Sequence, residues 1–220
     1  MGVAVVLFDL GNVVFDVDFK RVFAQWSAAS GVPAETLAAG FSADREAGPA
    51  FELGAWSPER FHRHCAGRLG LGLDQDAFEA GWNNIFGPPT PGIEHLLAAL
   101  RPRARLAVFS NTNAVHERAW MRIYAPTLAP FERIFTSHGL GRRKPEPAAF
   151  AAVAEALGVA PGEVLFLDDA AANVAGARTA GMKAAQWGGL ADGVRAAAEL
   201  GLLTPAEVAE LTVIEGGRGR

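Results

Sequence analysis

Four short stretches of this chain end in residue types that can do chemistry. Asp9 follows the apolar run Val3 to Phe8, and Ser110 with Asn111 and Thr112 follows Leu106 to Phe109. Lys144 lies in the loop after Ile134 to Thr136, and Asp168 with Asp169 follows Val164 to Leu167. Ligands of open α/β sheets bind beyond the carboxyl ends of the strands, so if these runs are strands of one sheet their endings converge. Carboxylates from different strands suit a hard cation such as Mg²⁺, which takes oxygen ligands and keeps water and substrate phosphate in its shell. A carboxylate can also be a nucleophile that forms an acyl phosphate. A lysine, a serine hydroxyl and helix-start amides can neutralise phosphoryl oxygens. A single Asp after a strand reads most simply as a helix cap. The set of four strand ends reads as a site for phosphate chemistry.

The elements that must position these residues follow from the apolar pattern. The runs named above, with a weaker one at Met182 to Trp187, are short and continuous rather than alternating, as in strands buried on both faces. Helical stretches separate them, such as Pro147 to Leu157 before Gly158 and Ala170 to Ala180 before Gly181. The alternation predicts an α/β fold, a Rossmann-like parallel sheet with helices on both faces. Residues 16–89 break the rhythm with helical patterns and no evident strand. Phe19, Val22, Phe23 and Trp26 fall on one helical face, Ser57-Pro58 is a helix start, and a third helix is expected from Asp74 to Phe86. This predicts a helical cap domain (16–89) inserted into a core of residues 1–15 and 90–220, with a frayed tail from Gly216.

Composition narrows the function classes. The chain has 220 residues, 50% hydrophobic and 20% charged, which excludes collagenous and wholly disordered classes. A net charge of -4 and the lack of a basic stripe argue against nucleic acid. No apolar run approaches the ~18 residues of a membrane span, so no membrane partner is expected. A lone cysteine, Cys65, excludes an internal disulfide, and the N-terminal stretch lacks the basic start of a secretory signal, so a cytoplasmic location is expected. Only Lys20, Lys144 and Lys183 are lysines, so any lysine the chemistry needs is one of three.

The blocks Phe8-Asp9-Leu10-Gly11-Asn12-Val13-Val14, Phe109-Ser110-Asn111-Thr112-Asn113, Gly141-Arg142-Arg143-Lys144-Pro145-Glu146-Pro147 and Phe166-Leu167-Asp168-Asp169-Ala170-Ala171-Ala172-Asn173 occur in this order. In these blocks the chain resembles the haloacid dehalogenase superfamily. The resemblance implies that Asp9 is nucleophile and Mg²⁺ ligand, with the Gly11 carbonyl and Asp169 as further ligands and Asp168 as a ligand or its support. It implies that Ser110, Asn111 and Lys144 bind substrate, with Ser110 and Lys144 at the phosphoryl group, and that the helical cap closes over the site. The expected partner is a small phosphorylated molecule, and the expected assembly a monomer or homodimer.

One position departs from the commonest phosphatase pattern. Two residues after the nucleophile such enzymes usually carry a second Asp as general acid and base, worth about 10²- to 10⁴-fold, and here Gly11 stands. A 2-haloacid dehalogenase would also lack that acid, but the pair Asp168-Asp169 beside a third carboxylate calls for a cation. A non-catalytic binding module is a further alternative. A phosphatase whose leaving group needs little protonation is the third, and the blocks are similar to bacterial α-D-glucose-1-phosphate phosphatases of this superfamily, which also carry Gly there.

Other residues carry weaker signals. Asn173 lies one turn beyond Asp169 and could orient it or the Ser110 loop, and Asp16 or Asp18 could supply the missing acid or cap a helix. Trp26, Arg45, Phe51, Trp82 and Asn83 are candidates for the substrate face of the cap. His62, His64 and Cys65 do not share a helical face suited to one metal. Arg142 and Arg143 read as an anion-orienting pair or a solvated loop.

Overall fold

The strands of the computed structural model are, in chain order, β1 (Val5–Phe8), β2 (Phe15–Val17), β3 (Phe86–Pro89), β4 (Arg105–Ser110), β5 (Arg133–Thr136), β6 (Val164–Asp168) and β7 (Lys183–Gln186). The structure describes residues 2–216, and the expected fraying beyond Gly216 falls outside them. Five strands form one parallel sheet in the order β5-β4-β1-β6-β7. The central strand β1 is buried throughout, as its continuous apolar run requires. The chain first builds outward from β1 through β4 to β5, then returns to the other side for β6 and β7. That reversal puts the sheet's switch point at the carboxyl end of β1, between β4 and β6.

Alternating side chains divide the core in two. Val6, Phe8, Val108 and Leu167 face α6 (Ile93–Leu100), α7 (Ala114–Ile123), α8 (Ala125–Leu128), α12 (Leu190–Glu199) and α13 (Pro205–Gly216). Val5, Leu7, Phe109 and Phe166 face α10 (Pro147–Leu157) and α11 (Ala171–Thr179), while α9 (Ser137–Leu140) follows β5. Gly176 on α11 lets the helix meet the Lys144 loop, since a Cβ there would lie 2.0 Å from the Pro145 carbonyl oxygen.

The insertion between β2 and β3 holds α1 (Phe19–Ser30), α2 (Ala34–Ser42), α3 (Ala47–Glu52), α4 (Pro58–Leu69) and α5 (Gln75–Trp82). It has a hydrophobic core of its own, with Val22, Trp26, Phe61, Phe78 and Trp82 buried together. The Ser57 hydroxyl accepts from the Arg60 amide and Asp74 from the Ala77 amide, starting α4 and α5. Two expectations are corrected. The third helix ends at Trp82 rather than Phe86, and a 3-10 turn at Asn83–Ile85 follows. The segment expected to lack strands is bounded by an antiparallel pair, with Phe15 opposite Pro89 and Val17 opposite Phe86. Gly87-Pro88-Pro89 obscures β3, because proline is tolerated only where an edge strand needs no amide hydrogen. Among the described residues, no helix is long and apolar enough to cross a membrane.

Candidate active site

Asp9 continues β1 by one residue, its amide donating to the Leu167 carbonyl at 2.9 Å. Its carboxylate meets Lys144, which is 1% exposed, with Nζ 2.8 Å from Asp9 Oδ1 and 2.6 Å from Asp168 Oδ2. The rings of Phe109 and Phe166 lie 5.6 and 5.4 Å from the ammonium, so a charge is held against aromatic faces at the end of the sheet. Asn111 fixes the backbone that presents it. Its amide nitrogen donates to the Lys144 carbonyl and its amide oxygen accepts from the Lys144 amide, both at 2.9 Å.

Asp168 is wholly buried and fully engaged. Oδ1 accepts from the Ala170 amide at 2.8 Å and from Asn173 Nδ2 at 2.9 Å, while Oδ2 accepts from Lys144 and from Asn173 Nδ2 at 3.0 Å. Three donors thus hold it, the Ala170 amide, the Lys144 ammonium and an Asn173 amide group shared between its two oxygens. Asn173 therefore holds Asp168, rather than Asp169 or the Ser110 loop. Asp169 is half-buried and accepts from Asn12 Nδ2 at 3.2 Å. Asn12 itself is left-handed, with φ 59°, and its Oδ1 accepts from the Val17 amide at 3.0 Å.

The cluster is electrostatically unbalanced. Burial pushes Asp9 up to about 6, the Lys144 ammonium pulls it down, and Asp168 pushes it up again. Burial disfavours the charge on Lys144, but Asp9 and Asp168 outweigh it and hold the ammonium above its ordinary value. Asp9, Asp168 and Asp169 each bring an oxygen within 4.8 Å of the others. One ammonium among three carboxylates leaves negative charge that a bound cation would neutralise, and the all-oxygen donor set suits a hard one.

Asp9 and Lys144 floor a cavity of about 200 Å³ that also meets Gly11, Ser110, Asn111 and Asn173, while Asp168 and Asp169 stand behind its lining. Ser110 is buried at the end of β4. The insertion supplies an aromatic roof of Phe19, Phe41, Phe51, Trp82 and Phe86. His116 joins floor to roof, with Nδ1 3.2 Å from Asn113 Nδ2 and Nε2 3.1 Å from the Trp82 carbonyl. Asn113 Nδ2 can only donate, so Nδ1 accepts and Nε2 carries the proton. Burial pushes this imidazole down to about 4, and its ring stacks on Trp82 at 4.6 Å. Glu52 of the insertion forms an ion pair with Arg143 of the core at 2.7 Å, and its backbone carbonyl accepts from Ser137 Oγ at 2.6 Å. Burial pushes the Glu52 carboxyl up, against the pull of Arg143 and Lys144.

Several predicted residues stand away from the cavity. Asp16 pairs with Arg21, and Asp18 caps α1 by accepting from the Lys20 amide at 2.9 Å. Neither lines the cavity, nor do Trp26, Arg45 and Asn83 among the cap candidates, whereas Phe51 and Trp82 do. His64 pairs with Asp44 at 2.5 Å and His62 with the Leu73 carbonyl at 2.8 Å, so the two serve separate contacts. Cys65 is buried, and its thiol is pushed up to about 12. Sequence reasoning missed Asn12, Glu52, His116, Phe19, Phe41 and Phe86. Asn12 sits inside the first motif, and its tolerance of the left-handed region is the one signal that pointed to it.

Residues 3–181 match the family of haloacid dehalogenase-like hydrolases. A phosphatase from Mycobacterium tuberculosis is 29% identical over 196 residues, covering 84% of this chain and 87% of that protein. The crystal structure of a HAD-family enzyme from Bacteroides thetaiotaomicron, in complex with magnesium and inorganic phosphate, is 25% identical with a TM-score of 0.74, covering 84% of this chain and 94% of that one. The L-2-haloacid dehalogenase from Xanthobacter autotrophicus, with chloropropionic acid covalently bound, shares the fold with a TM-score of 0.63 at 22% identity, covering 99% of this chain and 89% of that one. With most of its length inside the family match and its chemistry-bearing strand ends gathered at the sheet's switch point, the chain belongs to the haloacid dehalogenase-like hydrolases.

Proposed function

We propose that this hydrolase is a Mg²⁺-dependent phosphatase that cleaves a small phosphate monoester through an aspartyl phosphate on Asp9. The observation that carries the reading is Lys144, buried between Asp9 and Asp168 with Asp169 completing a three-carboxylate cluster. Mg²⁺, held by Asp9, the Gly11 carbonyl and Asp169, would supply neutralisation of phosphoryl oxygens and orientation of the ester. Asp168, already held by three donors, serves by fixing Lys144 beside Asp9. Asp9 presents its free oxygen to phosphorus, while Lys144 and the Ser110 hydroxyl bind the equatorial oxygens whose charge builds in transfer. Asn111 acts on substrate through the Lys144 backbone it clamps. Water then attacks the acyl phosphate and frees Asp9.

The insertion (16–89) serves as the cap. Glu52 with Arg143, and Ser137 with the Glu52 carbonyl, hold it against the core and exclude water while the phosphoenzyme forms. With Gly11 in place of an acid and Asp16 and Asp18 committed elsewhere, the substrate class is a monoester whose leaving oxygen is weakly basic. The resemblance to α-D-glucose-1-phosphate phosphatases makes an anomeric sugar phosphate one such ester. The carboxylate pair, which needs a cation, favours this chemistry over metal-independent dehalogenation.

The test is a panel of phosphorylated metabolites with Mg²⁺ and with EDTA, run beside 2-chloropropionate. Metal-dependent phosphate release that is lost in Asp9→Asn supports the reading. Halide release without metal, or full phosphatase activity in Asp9→Asn, overturns it.

A further inference from the structure

We infer that the ester this cavity takes is an aryl phosphate, with the aromatic ring of its alcohol held under the cap; the inference rests on the phosphatase reading above. The cap side of the cavity is a continuous aromatic surface. Phe19, Phe41 and Trp82 are mutual neighbours, with ring centroids 5.6 to 5.8 Å apart, and Phe51 and Phe86 extend the wall. Phe19 packs on Phe41 and Trp82 and still remains 41% exposed, so part of its ring in this wall is uncovered. Exposed apolar surface inside a cleft is the usual mark of an apolar ligand.

The polar groups point the same way. Glu52 is the charged residue on the cap side of the cavity; it forms an ion pair with Arg143, and its buried Oε2 makes no hydrogen bond. Both ring nitrogens of His116 are engaged, one with Asn113 and the other with the Trp82 carbonyl. Among the described residues, the buried cap-side donor on the cavity wall without an acceptor is Trp82 Nε1. A hexose would bring several hydroxyls into this enclosure and leave most of them unpaired, which costs affinity for each. A cavity of about 200 Å³ lies below the ~300 Å³ at which clefts begin to take drug-sized ligands, so one ring fits the scale.

The chemistry closes the argument. Asp9 Oδ bonds to phosphorus as the ester P–O bond breaks, and the electron pair leaves on the aryl oxygen, which later takes a proton from water. A phenol has a pKa of about 10 against 15.7 for water, so the phenolate departs without a carboxylic acid at position 11. One substrate class thus accounts for both the aromatic wall and the glycine.

The experiment uses the full chain with Mg²⁺. It compares kcat/KM for phenyl phosphate, α-D-glucose 1-phosphate and acetyl phosphate, whose leaving group needs no acid and carries no ring. Phenylphosphonate and methylphosphonate, as competitive inhibitors, read binding without the leaving step. The expected result is phenyl phosphate ahead of glucose 1-phosphate by about tenfold or more, and phenylphosphonate ahead of methylphosphonate by about three- to tenfold, the range of an aromatic contact. Phe19→Ala, at an exposed position, and Phe41→Ala should each lower the phenyl-to-acetyl ratio by a similar factor. Turnover of acetyl phosphate with equal inhibition by the two phosphonates, or with no preference for phenyl phosphate over glucose 1-phosphate, overturns the aryl inference and leaves the phosphatase standing. An unchanged phenyl-to-acetyl ratio in both variants also overturns it. Release of phosphate from none of the esters overturns the phosphatase and the inference together.

Discussion

Replacing Lys144 by methionine keeps the side-chain stem and removes the charge that holds the site together. Asp9 and Asp168 lose contacts of 2.8 and 2.6 Å and are left facing each other with oxygens within 4.8 Å. At an effective dielectric constant of about 20, two such charges repel by about 3 kcal/mol. Breaking a buried pair by removing one partner costs about 3–5 kcal/mol, and the two figures agree. In EDTA at pH 7.5, urea unfolding of Lys144→Met should therefore show that loss at an unchanged m-value, or a melting point lower by about 6–20 °C. Burial already raises Asp9 to about 6, and removing the ammonium raises it further. A carboxyl raised in the folded state favours folding at low pH and loses that contribution as pH rises through its folded value. The deficit of the variant should accordingly shrink on acidification. Adding Asp168→Asn should return part of the stability, since it removes the repulsion. A loss below ~1 kcal/mol, or a deficit that grows as pH falls, would refute the charge balance drawn for this cluster.

Three further outcomes follow from the geometry. Asp169→Asn should weaken Mg²⁺ binding by at least about tenfold in a calorimetric titration while changing stability in EDTA by less than ~1 kcal/mol, because among the described residues its carboxylate accepts from Asn12 alone. His116 is held near about 4 by burial against 6.5 unfolded, so the unfolded chain binds the extra proton between those values and stability falls as pH drops through them. His116→Gln should flatten the pH dependence of the unfolding free energy, read from urea titrations, by up to about 3 kcal/mol, and parallel profiles would contradict this. Gly176→Ala places a methyl against the Pro145 carbonyl, so thermal melting should show a loss of about 1–3 kcal/mol and phosphatase assays a lower kcat through the displaced Lys144 loop.

The parallel core was legible because each strand is a continuous apolar run ended by a polar residue, and the pairing of Asp168 with Gln186 and Ser110 with Thr136 brings those endings level. Helix ends were readable where Gly158 or Ser57 marks them. The ribbon of β2 and β3 was not, since three residues on one side and a Gly-Pro-Pro sequence on the other show no period. In the site, strand ends announced Asp9, Ser110, Lys144 and the acid pair. The roles of Asn111, Asn173 and Asp168 depend on which lone pair meets which hydrogen, and residue type does not carry that. Phe19, Phe41 and Phe86 share the spacing of ordinary core aromatics. Only the meeting of distant segments separates the cavity wall from the interior of the insertion.

Gly11 and Val17 make a single steric unit. A Cβ built on Gly11 would come within 3.3 Å of Val17 Cγ2, and Val17 is paired with Phe86 in the ribbon that carries the insertion. Restoring an acid at position 11 therefore presses on the very strand that leads into the insertion. A side chain at position 11 fits only if Val17 gives by a few tenths of an ångström, which a smaller residue at 17 would allow. The residue at position 11 and the entry of the chain into the insertion are thereby coupled through one contact, so a change at either end is felt at the other.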